Sequence, residues 1–106
     1  MKSLNTLEDA MGRVSSAVHP SDSVMAVLLT GGGAKRVDVP AGARLVLFSA
    51  TGPFWAKFGG TAVVPTADIL DGSAPELNPV GRSVAEVASI GLAASQACTV
   101  NLVFYG

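Results

Sequence analysis

The sequence predicts an all-β domain, a small antiparallel β-sandwich or barrel preceded by a short N-terminal helix or arm. Three observations carry this. From residue 24 onward, short apolar or alternating runs are separated by Gly- and Pro-containing turn signals at roughly 8–12-residue spacing. In the last run Cys98, Val100, Leu102 and Phe104 alternate with Thr99, Asn101, Val103 and Tyr105, the period-2 mark of a strand. Residues 1–23 break the pattern: Leu4, Leu7, Met11, Val14 and Val18 recur at helical spacing.

The N-terminal segment comes first. Thr6 followed by Asp9 suits a capping box, Glu8 sits well near a positive helix end, and Gly12 weakens the stripe. "HPSDS" (19–23) ends it, so 1–23 reads as an amphipathic helix or extended arm with a linker, and 24–106 as the β domain. "VMAVLLT" (24–30) is a buried strand and "GGG" (31–33) a turn. "AKRVDV" (34–39) alternates, and "PAG" (40–42) places Pro40 second and Gly42 fourth in a type I turn. "ARLVLFSA" (43–50) is the strongest strand. "FWAKF" (54–58) sets Phe54, Ala56 and Phe58 against Trp55 and Lys57 on the other face, and "GG" (59–60) turns into a strand "TAVV" (61–64). Residues 65–81, with three Pro and two Gly, form a long loop that holds at most short edge strands. Residues 83–94 and 97–106 are closing strands; a helix over 83–95 is the alternative, because Ala and Glu favour helices.

Size and charge narrow the function. A chain of 106 residues is one small domain with a modest core. Only 14% of its residues are charged, against about 25% in an average soluble domain. That shortage implies surface covered by subunit neighbours. A net charge of −1 supplies no basic field for nucleic acid. No apolar run approaches the roughly 18 residues that span a bilayer, and nothing at the N-terminus resembles a signal peptide. The single cysteine, Cys98, excludes an intrachain disulfide framework and reads as a small buried residue in a protein made in a reducing cytoplasm.

The candidate chemistry is thin. "TGGGAKR" (30–36) lacks the Ser or Thr after its Lys and opens a strand, so it is a turn and not a phosphate loop. His19, Ser21 and Asp22 have the residue types of a hydrolytic triad but lie in a linker beside Pro20, where a solvated hinge is the better reading. One His and one Cys cannot build a zinc site, and "DILDGS" (68–73) lacks the dense oxygen spacing of a calcium loop; Asp71 before Gly72 reads as a turn former. Glu76 and Glu86 have nothing around them to tune an acid–base pair. The expectation is a protein without catalytic residues, metal or cofactor. Trp55, Lys57 and Tyr105 have the chemistry of a stacking platform, yet without a basic groove they fit a subunit interface better. With Leu4, Leu7, Met11 and Val14 of the arm they form the candidate interface.

Residues 37–106 resemble small accessory virion proteins of tailed bacteriophages. The likeness rests on the turn Val39-Pro40-x-Gly42, the segment Trp55-x-Lys57-Phe58-Gly59, and then Ala62, Val63, Thr66 and Asp68. The Asp71-Gly72 turn and the final "TVNLV" strand complete it. The resemblance implies a jelly-roll-like β-sandwich without catalytic residues that coats or joins parts of the virion after assembly in the host cytoplasm. Its partners would be the major capsid protein and copies of itself, with no nucleic acid or membrane. A capsid decoration (cement) protein is the first expectation and a head–tail connector or tail component the second. A small glycan-binding β module is a reading from a different class, resting on Trp55.

Overall fold

A computed structural model of the chain describes residues 1–4, 6–8 and 14–106. Its strands in chain order are β1 (Thr6–Glu8), β2 (Val14–Val18), β3 (Ser23–Leu29), β4 (Ala34–Asp38) and β5 (Leu45–Ala50). They continue as β6 (Trp55–Phe58), β7 (Glu76–Leu77), β8 (Gly81–Ser83), β9 (Ser89–Ala93) and β10 (Cys98–Tyr105). β1 and β2 pair with each other. The rest form two four-stranded antiparallel sheets, ordered β3-β10-β5-β8 and β4-β9-β6-β7.

The alternation read in the sequence decides what lies between the sheets. Val27 and Leu29 of β3, Val46 and Phe48 of β5, and Val100, Leu102 and Phe104 of β10 point inward from one sheet. Ala56 of β6 and Ile90 and Leu92 of β9 meet them from the other, so a single core lies inside a β-sandwich. Phe48 spans the layers, its ring 5.7 Å from Phe54 and 6.0 Å from Phe58, within the range of favourable aromatic pairs.

β9 is buried on both faces. Inward it presents Ile90 and Leu92, and outward Ser89, Gly91 and Ala93. The outward face is roofed by the chain itself as it leaves β6. Gly59 N–H donates to the Ser89 carbonyl, and a Cβ on Gly91 would lie 2.4 Å from the Gly60 carbonyl oxygen and 2.6 Å from the Ala62 nitrogen. The buried Ser89 hydroxyl accepts from Arg36 Nε (3.1 Å), which satisfies it. Residues 61–64, expected to be a strand, therefore cross over β9 without joining a ladder. Ala62 packs inward while Val63 is left outside.

Three further expectations are narrowed or changed. Of the helix or extended arm expected at the N-terminus, the described residues take the extended form, as strands β1 and β2 with Thr6 opposite Val18 and Glu8 opposite Val14. β2 reads "VSSAV", in which β-branched ends and serines favour an extended chain over a helix. The turn at 40–43 has Ala43 N–H donating to the Pro40 carbonyl, so Pro40 is its first residue and Gly42, at φ 84°, its third. That is a type II turn, whose third position demands positive φ. The closing strand expected at 83–94 starts only at Ser89, because a turn closed by Val87 N–H to the Val84 carbonyl occupies its first half.

The long loop from 65 to 80 is tied back by Asn78. Its N–H donates to the Phe54 carbonyl and its Oδ1 accepts from the Phe54 N–H, both at 2.9 Å, with Asn78 itself at φ 49°. Asn tolerates this left-handed backbone better than most residues. Asn78→Ala should cost about 2 kcal/mol, from one orphaned amide and a strained backbone, while Asn78→Gly should recover part of the loss. Urea denaturation of the two variants measures the difference; equal stabilities for alanine and wild type would refute it.

Candidate interaction surface

β6 displays its side chains as the alternation predicted. Phe54 and Ala56 enter the core, and Trp55 and Lys57 stand half-buried on the opposite face. Trp55 is directly across from Leu77 of β7 on one side and Ala93 of β9 on the other. Leu77 is exposed, so the two side chains make an apolar strip at the outer face of this sheet.

Lys57 is held beside that strip. Its Nζ donates to the Ser73 carbonyl (2.8 Å), and Ser73 in turn donates from N–H (3.0 Å) and Oγ (2.6 Å) to Asp71 Oδ1. The two Ser73 donors, with Lys57 adding a weaker pull, keep the Asp71 carboxyl below its ordinary range. Asp71 therefore organises the 68–73 turn, the role read for it in the sequence. Leu70 at the tip of this loop is 90% exposed and Ile69 is partly exposed. At the rim Glu76 pairs with Arg82 at 2.9 Å, a solvent-exposed bridge of small energetic worth.

The other candidate residues are not gathered here. Tyr105 lies on β10 in the opposite sheet and is 3% exposed, its hydroxyl donating to the His19 carbonyl (2.7 Å). Gly106 N–H donates to the Lys2 carbonyl, so the chain on either side of the first hairpin covers this tyrosine. Leu4 is partly exposed; Leu7 is on β1 and Val14 on β2; Met11 lies outside the described residues.

The linker is solvated at His19, Pro20 and Asp22, as expected, but it is fastened and not a free hinge. Ser21 Oγ donates to the Phe104 carbonyl and accepts from the Ser23 N–H, and Asp22 accepts from the Lys2 N–H (3.2 Å). His19, Ser21 and Asp22 thus act through latching contacts that sequence spacing does not reveal.

A groove of about 400 Å³ opens between β5 and the Asn78 loop and is lined by Phe48, Ala50, Pro53, Phe54, Pro79 and Val80 among others. No titratable side chain lines it. Among the described residues no three His, Cys, Asp or Glu side chains converge as metal ligands would. No protein-family model, curated protein or solved structure matches the chain.

Proposed function

We propose that this chain is a non-enzymatic virion protein, a decoration protein that binds the head of a tailed phage through subunit contacts. The observation that carries the reading is the strand order. Four strands β3-β10-β5-β8 face four strands β4-β9-β6-β7, and every step from β3 to β10 except β6–β7 passes between the sheets. We take this arrangement to be a jelly roll, the double Greek-key sandwich used by viral capsid and lectin domains. The low charge, the apolar strip at Trp55 and Leu77, and a groove without titratable groups all suit packing against protein.

In this reading the N-terminal segment reaches the shell, and many weak contacts repeated over a lattice add up to firm attachment. The test is co-sedimentation of the purified full chain with heads built from the major capsid protein of the same genome. Saturable binding is expected, weakened at least about tenfold by deleting residues 1–18, since each lost contact of about 1.4 kcal/mol is a factor of ten. Absence of binding to heads overturns the function. Undiminished binding of the truncated chain overturns the role of the arm alone.

A further inference from the structure

The two sheets of the sandwich have four outer edges, and three of them are blunted against pairing with another chain. β8 has three residues with Arg82 at its centre. β7 has two residues, between Pro75 and Pro79. β4 carries Lys35, Arg36 and Asp38. Short length, charge and proline are the devices by which sheets avoid edge-to-edge association.

β3 has none of them. It is seven residues long, reads "SVMAVLL", and contains neither charge nor proline. Its register with β10 runs through seven consecutive pairs without a bulge. Among the described residues no strand pairs with its other side. Its outer-face side chains are apolar and open, Val24 at 52% and Leu28 at 63% exposure with Ala26 exposed between them.

The hydrogen-bonding direction of the edge follows from the ladder. Ser23 N–H and the Phe104 carbonyl meet at Ser21 Oγ between β3 and β10, whereas Thr99 and Tyr105 bond toward the β5 side. Odd-numbered residues of β3 therefore face β10, and Val24, Ala26 and Leu28 turn their N–H and C=O groups to the open edge.

We propose that β3 pairs with β3 of a second copy, antiparallel about a two-fold axis at Ala26. In that register Ala26 faces Ala26 and Val24 faces Leu28, and all three outward-directed residues fall in hydrogen-bonded positions. That gives roughly six main-chain hydrogen bonds, two for each facing pair. The strand suits a copy of itself because its apolar positions are symmetric about Ala26 and no charge repels across the axis. The two copies then share one continuous sheet with β8 at both ends, and the three blunted edges stop further growth. The pairing is independent of the capsid reading and stands or falls in the purified protein.

The experiment is sedimentation of the full chain, alone and with charge placed at the axis. Wild type should approach twice the 10.7 kDa chain mass at micromolar concentrations. Ala26→Lys and Ala26→Glu, each on the exposed face, should raise the dissociation constant at least about tenfold through like charges set face to face. An equimolar mixture of the two variants should recover the dimer, since Lys then meets Glu; misfolded chains would not do so. A wild type that stays monomeric at about 100 μM, far above an ordinary dimer constant, overturns the proposal. Variants that associate like wild type, or a mixture that stays monomeric, overturn it equally.

Discussion

Gly91→Ala is expected to lower the unfolding free energy by about 3 kcal/mol or more, one of the largest effects available to a single added methyl group. The new Cβ would meet the Gly60 carbonyl oxygen at 2.4 Å, the Ala62 nitrogen at 2.6 Å and the Thr61 carbonyl carbon at 3.0 Å. All three are backbone atoms, so no side chain can rotate away. The 60–62 crossing must lift off β9, exposing Ala62 and straining the Gly59–Ser89 hydrogen bond. For a domain of this size the melting temperature should fall by about 12 °C or more, at roughly 4 °C per kcal/mol. Calorimetry of the alanine variant reads this directly. A melting point within about 2 °C of wild type would mean that the crossing does not pack on Gly91.

Phe104→Ala should cost about 3–5 kcal/mol, the usual range for deleting a buried ring. Phe104 is the largest fully buried side chain and lies on β10, the centre of its sheet. Its ladder partners are Ser23 of β3 and Val46 of β5, so the cavity would open beneath both neighbouring strands. Total stability for such domains is about 5–15 kcal/mol, so the variant should be partly unfolded near physiological temperature. Ile90→Val, at an equally buried site of β9, should cost only about 0.5–1.5 kcal/mol. Urea titration separates the two: the midpoint should move far more for Phe104→Ala while the slope stays unchanged. Midpoint shifts of similar size would contradict the placement of Phe104 at the centre of the core.

Local alternation made much of the fold legible. Residues 43–50 and 97–106 announce strands, and the parity of Phe54–Phe58 separates the core face from the Trp55 and Lys57 face without reference to the rest of the chain. Where the reading failed, distant residues decided the outcome. "TAVV" has strand composition, but residues 60–62 are held across β9 because Gly91, some thirty positions away, leaves them room. The stripe Leu4, Leu7, Met11, Val14 and Val18 satisfies helical spacing, yet with so few positions the Ser- and Val-rich run 14–18 serves a hairpin equally well. Tyr105 alternates onto the outward side of β10 as expected. Alternation cannot say that His19 and the residues around Lys2 lie over it. Strand order, and with it the open side of β3, depends on pairings between opposite ends of the chain. No window of neighbouring residues contains that information.

The pairing of β3 with β10 also has a kinetic consequence. Leu29 is matched to Cys98, roughly seventy residues later. At synthesis rates of about 5–20 residues per second, β3 waits roughly 4–14 s for the strand that covers its inner side. During that interval the most apolar strand in the chain is open on both sides, the condition in which unfinished β proteins aggregate. Closing so long a loop is intrinsically slow as well. The yield of soluble protein in the cell is therefore expected to fall when translation is slowed and "SVMAVLL" stands alone for longer.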